Sequence, residues 1–545
     1  MNQNTTAAAS PDNSMSLRWW NVYFILKIIL ILQNIVKLSL LYNLAFIVFL
    51  LFPIHNKKLR ILREIIAVGI AISLLYYDSY LPPVNNLLSQ ANQLANFEFS
   101  YLLELLGRFI SFDFLLLVAI VCFVFYLANK IFRVTTFVIL TLLYLSLPTI
   151  SPTKLNLTVA ASEVKQTTDQ ETSNSGLVAT NNFDEASLNN YRQQFFKLEE
   201  SKTSKLNFLT ETDLNHANFD ILVLSVCSVA WDDLELTGEL DHPLLSEFDI
   251  RFDNYNSATS YSGPALIRLL RAGCGQQQHN SLFEPEKQNQ CLLFEQLNSL
   301  GFNSELVLNH NAEFDDFSTL VKNNLPLNNV QPVPLQGLSP YIVSFDGSKI
   351  YRDLDILTAW SQTASQEKSV TLYNTISVHD GNKIIRSEGG SHLERYHEQQ
   401  KNLLDDLYQF FKQLEASKRN IVVVFVPEHG ASMRGDRMQI KGMREIPTPA
   451  ITHVPVGIKL FGENIKLTGR NLIVNKNVSH LALSDVLANI ISSGIYTGQE
   501  VSTTTLVDGI DEVQAVSENT GAIMMHVDSK NVLSLDGSEW IEYSP

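Results

Sequence analysis

The sequence predicts a two-part chain: a bundle of membrane-spanning helices over its first 150 residues, then a layered α/β domain. Three observations predict it. Apolar stretches long enough for a bilayer recur up to Ile150 and then cease. Beyond Phe219, short β-branched runs alternate with amphipathic helical segments, the signature of helices packed on a sheet. Three of those runs stop at a thiol, an imidazole or a carboxylate, and polar chemistry is expected just past the carboxyl ends of buried parallel strands.

At 545 residues the chain exceeds one ordinary domain, and 46% hydrophobic residues with a mean hydropathy of +0.04 is high for a wholly soluble protein. A hydrocarbon core takes about 20 mostly apolar residues per helix. Spans are expected over 20–36, 38–54, 61–81, 112–128 and 134–150. Lys27 and Lys37 interrupt the first two, which leaves open one tilted or interfacial helix followed by a single span. Lys57, Lys58, Arg60 and Arg63 in one loop, and Lys130 and Arg133 in another, place both loops in the cytoplasm. The loop 82–111, with Arg108 alone, is then expected outside, and so is everything after Ile150. Nothing resembles a cleavable signal peptide. The expected organisation is a cytoplasmic N-terminus over 1–19, about five transmembrane helices over 20–150, a linker over 151–218 and a folded domain over 219–545. The linker is rich in Ser, Thr and Asn and contains one short helix near 188–200.

The net charge is −16, and the acidic excess lies after residue 150. Such a domain repels phosphate backbones, which argues against nucleic acid as a partner. Of four cysteines, Cys122 falls in the fourth expected span and Cys227 ends a strand. Cys274 and Cys291 flank a polar loop, and a disulfide between them is expected outside the cytoplasm. Pairing of Cys227 stays open, but strand-end geometry suits it less well than local loop closure suits the other two.

In chain order, the run 219–226 (FDILVLSV) ends at Cys227 and 369–378 (SVTLYNTISV) ends at His379 and Asp380. The run 421–427 (IVVVFVP) ends at Glu428 and His429. Helices are expected over 394–414 and 481–493, and an antiparallel edge hairpin over 517–545. Between the first two runs lies NSATSYSGPALIRLLRAGCG, residues 256–275, where Ser262 caps a helix over 265–272 that stops at Gly273. A serine there ordinarily only accepts a backbone hydrogen bond. At a helix N-terminus, however, backbone N–H groups and the dipole favour an anion, which suits both an alkoxide and a covalent phosphoryl group. Ser262 is therefore the candidate nucleophile. His379, titrating near neutral pH, is a candidate proton carrier. Arg437 and Arg444 are candidate phosphate clamps, and Tyr261 is a weaker substrate-binding candidate.

The order of strand-end ligand, serine at a helix start, later histidine, then an acid-His-Gly triplet resembles the alkaline phosphatase superfamily, particularly its phosphoethanolamine and phosphoglycerol transferases. More narrowly, VCSVAWDDL, FDNYNSATSYSGPALIRLLRAGCGQ, NTISVHDGN and VPEHGASMRGDRMQIKGMREIPTPAITHVPVGIK look like the BcsG-type cellulose phosphoethanolamine transferases, a likeness covering nearly the whole chain. The resemblance implies an alkaline-phosphatase-like α/β/α sandwich behind the transmembrane bundle. It implies transfer of phosphoethanolamine from phosphatidylethanolamine to glucosyl hydroxyls of cellulose, in the periplasm at the bacterial inner membrane, with cellulose synthase complex subunits as partners. For the ammonium-bearing substrate that the resemblance implies, Asp232, Asp233 and Trp231 are near enough in sequence to be the receptor.

Residue by residue, it makes Ser262 the nucleophile, Cys227, Ser262, Glu428 and His429 the ligands of one Zn2+ ion, and His379 a neighbour of the substrate phosphate. Thiolate, imidazole and carboxylate suit zinc rather than magnesium or calcium. The superfamily's first-strand ligand is commonly acidic, so Asp232 or Asp233 stays open as an alternative to Cys227. Other acceptors, such as lipid A sugars, a glycerophosphate polymer or water, stay open too, as does a scaffold role in cellulose synthesis.

Overall fold

The computed structural model describes residues 15–33, 36–54, 56–79, 97–109, 112–132, 134–146, 184–214, 217–284, 288–326, 337–363, 368–387, 390–535, 537 and 539–544. The chain divides into two compact units, one of Met1–Leu81 with Leu106–Gly176 and one of Pro82–Leu105 with Leu177–Pro545. The stretch of linker expected over 151–183 and most of the loop 82–111 lie outside the described residues.

The first unit contains the helices Met15–Leu32, Leu40–Leu51, Lys57–Asp78, Phe112–Ala128 and Val134–Leu145. All but Phe112–Ala128 pack around Phe24, Phe46, Ile47, Leu50, Ala71 and Leu142, and Phe112–Ala128 packs through Val121 and Phe125 with Val22. Here the structure corrects the expectation of a transmembrane bundle: among the described residues no helix is long and apolar enough to cross a membrane. Leu40–Leu51 and Val134–Leu145 have 12 residues each, about 18 Å at the helical rise against a hydrocarbon core of about 30 Å. Lys57–Asp78 has 22 residues but includes Lys57, Lys58, Arg60, Arg63, Glu64 and Asp78. Hydropathy reads a run as apolar without marking where its helix ends, and the described residues 36–39 and 52–54 are not helical. Lys27, which breaks the first apolar stretch, is buried and bonded to Asp78 at 2.6 Å. Asn43 braces that pair, accepting from Lys27 Nζ at 2.8 Å and donating to Asp78 Oδ2 at 2.9 Å.

In the second unit, seven strands form the central sheet. They are β1 (Asp220–Val226), β2 (Ile250–Asn256), β3 (Asn303–Leu308), β4 (Ser369–Thr375), β5 (Ile421–Pro427), β6 (His453–Phe461) and β7 (Leu472–Val474). Their spatial order is β7-β2-β6-β5-β1-β4-β3. Only β6 is antiparallel to its neighbours.

Side chains of β1 and β5 alternate between two cores. Ile221, Val223, Val422 and Val424 face Leu266, Leu270, Phe294 and Leu487, whereas Leu222, Leu224, Val423 and Phe425 face Leu357, Leu403, Leu407 and Phe410. Helices Ser262–Leu270 and His480–Ser492 thus cover one face, and Asp353–Thr363 and His392–Ser417 the other. This α/β/α layering is why the strands read as unbroken apolar runs. The register then builds one edge. Val226 is level with both Thr375 and Pro427, so the residues after β1, β4 and β5 emerge side by side.

The last segment differs from the expected edge hairpin. Val516–Asn519, Ala522–Val527, Lys530–Ser534 and Ile541–Tyr543 form a separate four-stranded antiparallel sheet. Its apolar face needs a cover, and the helix Glu185–Glu200 supplies one through Leu188, Tyr191, Phe195 and Phe196. Arg192 pairs with Glu518 across that contact at 2.8 Å.

Cys274 and Cys291 are disulfide-bonded. Close to this loop, burial pushes His279 down to about 4 and His480 down to about 3, with the Arg268 charge adding to both. The unfolded chain protonates these histidines near pH 6.5 while the folded chain does not. Stability is therefore unaffected above that value and is lost as pH falls from about 6.5 towards 4, by about 2 kcal/mol per histidine at pH 5. Thermal melts are expected to show Tm dropping steadily from pH 7 to pH 5, and a flat profile would contradict neutral burial.

Candidate active site

Cys227 follows β1 directly, Glu428 and His429 follow β5, and Ser262 opens the helix after β2. Backbone bonds lock these ends: Cys227 N donates to Thr375 O at 3.0 Å, Glu428 N to Val226 O at 2.8 Å, and Val229 N to His429 O at 2.7 Å. Between them Ser228 is held at φ 65°, a strained setting for a serine, with its carbonyl accepting from Tyr396 OH at 2.8 Å.

The four side chains converge. Ser262 Oγ lies 3.1 Å from His429 Nε2 and 3.4 Å from Cys227 Sγ, and Cys227 Sγ lies 3.9 Å from His429 Nε2. Ligand atoms of Cys227, Glu428 and His429 all fall within 4.8 Å of one another. Tetrahedral zinc ligands of these types sit roughly 3.5 Å apart. His429 Nδ1 donates to Gly430 O at 2.9 Å, which leaves Nε2 as the acceptor turned to Ser262. Burial, then the Arg444 charge, holds that imidazole well below its ordinary pKa. Burial and the Glu428 charge push the Cys227 thiol up to about 11. Glu428 Oε1 accepts from Ser225 Oγ at 2.8 Å and Asn374 Nδ2 at 2.6 Å, while Oε2 is buried with no hydrogen-bond partner. An orphaned buried acceptor beside a free imidazole lone pair and a thiol is the environment a cation completes, so these residues fit a metal ion.

Ser262 is the first residue of its helix, and the capping position belongs to Tyr261. Tyr261 OH donates to Glu445 at 2.6 Å. Arg444 Nη1 is 3.1 and 3.2 Å from the two ring nitrogens of His429 and 3.4 Å from Ser228 Oγ. A nitrogen equidistant from both ring nitrogens lies over the ring face, so Nη1 of Arg444 sits against His429 beside the site. Arg437 is exposed and forms no hydrogen bond or ion pair with the four residues. His379 bonds none of them either; its Nδ1 donates to Asp380 O at 2.8 Å. Burial and the Arg444 charge push it down to about 4.

Asp232 is paired with Arg434 at 2.9 Å, and Asp233 Oδ2 accepts from Ala230 N and Ala431 N at 3.1 and 2.7 Å. Neither belongs to the group whose ligand atoms converge, which is Cys227, Glu428 and His429. The Trp231 ring carries the Arg251 guanidinium at 5.5 Å. Thr259 Oγ1 donates to Asn519 Oδ1 at 2.8 Å, and the ring of His453 is bonded to Asp253 O.

Sequence reasoning missed the supports. Ser225 and Asn374 interrupt otherwise apolar strands, and that interruption was the available signal. Asn519, from the C-terminal sheet, donates to Ser260 Oγ and to the carbonyls of Arg444 and Glu445 at 2.5, 3.1 and 2.9 Å, and nothing in its local sequence marks it. Gly430 has no room for a side chain: a Cβ there would come within 2.6 Å of Ala230 Cβ and 2.7 Å of Asp233 Oδ2. Gly430→Ala is expected to displace Glu428 and His429 and to lower stability by about 1–3 kcal/mol, read as a Tm drop.

Residues 172–540 match the family described as Cellulose biosynthesis protein BcsG C-terminal domain, and residues 20–147 match its N-terminal counterpart. The chain belongs to the BcsG family of cellulose biosynthesis proteins. The identification drawn from its motifs, as a BcsG-type phosphoethanolamine transferase, is borne out, and with it the reading of the chain as a transferase. Among curated relatives, Cellulose biosynthesis protein BcsG of Escherichia coli is 34% identical over 564 residues, covering 100% of both chains. The Salmonella typhimurium protein of the same name is 35% identical, covering 97% of this chain and 96% of its own. Solved structures with some likeness include a Vibrio parahaemolyticus protein of the alkaline phosphatase superfamily, at 12% identity and a TM-score of 0.46, covering 64% of this chain and 87% of its own. The zinc complex of the periplasmic domain of EcEptC from Escherichia coli stands at 12% identity and a TM-score of 0.39, covering 56% and 91%.

Proposed function

We propose that the chain transfers phosphoethanolamine from phosphatidylethanolamine to glucosyl hydroxyls of cellulose through a covalent intermediate on Ser262. Cys227, Glu428, His429 and the Ser262 oxygen would hold one zinc ion, and the reaction takes place on the periplasmic side of the inner membrane, beside cellulose synthase subunits. The observation that carries this reading is the approach of Ser262 Oγ to His429 Nε2 and Cys227 Sγ at a helix N-terminus. When bound, such an ion lowers the pKa of a coordinated hydroxyl and stabilises charge developing on phosphoryl oxygens. The Cys274–Cys291 disulfide suits an oxidising compartment.

In the first half, Ser262 Oγ bonds to phosphorus as the bond from phosphorus to the diacylglycerol oxygen breaks, and the serine proton meets the need of that leaving oxygen. In the second, a sugar oxygen takes the phosphorus and Ser262 Oγ departs. His379 donates through Nδ1 to Asp380 O, so Nε2 is its acceptor. It takes the sugar's proton and passes it to the departing serine oxygen. Arg444 clamps phosphoryl oxygens from its place over His429.

The test is intact mass and metal analysis of the full chain after incubation with vesicles containing phosphatidylethanolamine. About one zinc per chain and a phosphoethanolamine adduct on Ser262 are expected. Modification of Thr259 instead, or no adduct, overturns the reading. Discharge of the adduct by cello-oligosaccharide faster than by water separates transferase from hydrolase.

A further inference from the structure

The segment Phe97 to Leu105 belongs to the same compact unit as the site, although it lies more than a hundred residues before β1. It is fastened beside His379 by contacts of different kinds. Glu98 N donates to Phe345 O at 3.1 Å, and Glu104 pairs with Arg395 at 2.5 Å. The rings of Phe97 and Tyr101 pack on Phe345 at 5.4 and 6.1 Å, and Phe345 in turn packs on the His379 ring at 4.5 Å. Tyr101 OH reaches Asp380 Oδ2 at 3.4 Å, while Asp380 Oδ1 is held by His392 Nε2 at 2.5 Å.

The most telling fit is at Gly381. Its φ is +84°, and a Cβ there would come within 2.5 Å of Tyr101 Cε2 and 2.8 Å of Phe345 Cβ. The missing side chain after Asp380 is thus the hollow in which the Tyr101 ring sits. The turn carrying His379 is closed by bonds from His379 N to Ile376 O at 3.0 Å, Asn382 N to His379 O at 3.3 Å and Asn382 Nδ2 to Ile376 O at 2.6 Å, and none of these involves the histidine ring. The direction of the His379 ring is set by Phe345 on its face and, within the turn, by the Asp380 carbonyl on Nδ1.

We infer that Tyr101, with Phe97, is a positioning residue that holds the Asp380–Gly381 turn and thereby aims His379 Nε2 at the reacting sugar hydroxyl. The inference rests on the role of His379 proposed above. A misplacement of about 1 Å costs up to roughly 100-fold in rate without weakening ground-state binding. Tyr101 touches neither the metal ligands nor Ser262, so donor binding and formation of the serine adduct stay intact.

The experiment uses the full chain and a chromogenic phosphoethanolamine ester with cello-oligosaccharide as acceptor. Tyr101→Ala is expected to lower kcat on the order of 10-fold to 100-fold, with kcat/KM for the ester within about twofold and the Ser262 adduct accumulating because its discharge is slowed. Gly381→Ala, which fills the hollow from the other side, is expected to give the same pattern, and the double variant no further loss. Tyr101→Phe, which keeps the ring, is expected to restore most of kcat. An unchanged kcat in Tyr101→Ala, or losses that multiply in the double variant, overturns the inference. Absence of any adduct on the unsubstituted chain would instead sink the covalent reading itself, so the two failures are distinguishable. Should Tyr101→Ala fail to fold, the Gly381→Ala split between kcat and kcat/KM decides alone.

Discussion

Ser262→Ala is expected to abolish phosphoethanolamine transfer, by at least about 10^4-fold in kcat, because removal of a covalent nucleophile removes the reaction path rather than weakening one contact in it. The adduct in intact mass should vanish with it. Stability should hardly change. Ser262 Oγ contributes no helix cap, since Tyr261 occupies that position, and its neighbours Cys227 and His429 are both held by their own backbone bonds. A Tm close to that of the unsubstituted chain together with full metal content would show that the lost hydroxyl is the whole cause. The same variant addresses the scaffold alternative. Cellulose that is still modified to its normal extent by the Ser262→Ala chain would mean that the fold matters to the synthase and the hydroxyl does not.

How legible the site was depends on the scale of the pattern. Cys227, His379, Glu428 and His429 were legible because each is the first polar chemistry after an apolar run, and a parallel sheet brings such ends to one edge. The registers of β1 with β4 and β5 do this, by setting Val226, Thr375 and Pro427 level. What was not legible depends on contacts between distant segments. Asn519 reaches back to Ser260 and Arg444 from a sheet that the Glu185–Glu200 helix covers. Tyr101 reaches forward to the turn after His379. Arg437 and Arg444 are equivalent charges in the sequence, yet only Arg444 is folded back over His429. The N-terminal expectation failed for a similar reason. Hydropathy summed over 20–36 registered Lys27 as an interruption without its partner Asp78, and it could not show that the apolar runs are divided among helices as short as 12 residues.

Zinc added to metal-free full-length chain is expected to raise Tm by several degrees, because a ligand at 1,000 times its Kd stabilises the folded state by about 4 kcal/mol. Glu428→Gln is expected to remove that shift while leaving the metal-free protein folded. The amide keeps Oε1 as the acceptor for Ser225 and Asn374. It replaces the orphaned Oε2 with a donor and takes a buried charge out of a site where burial already holds the carboxyl above its ordinary pKa. The metal-free fold therefore exchanges a buried charge for a neutral amide and stays folded, whereas the ion loses its anionic oxygen ligand. Cys227→Ala should abolish the zinc shift as well, but with a metal-free Tm slightly below that of the unsubstituted chain, since a buried sulfur is deleted from a packed strand end. Two variants that agree on zinc and differ in the metal-free Tm would place Cys227 and Glu428 around one ion. A zinc shift preserved in both would mean the ion binds elsewhere, and the proposed chemistry at Ser262 would have to proceed without those ligands.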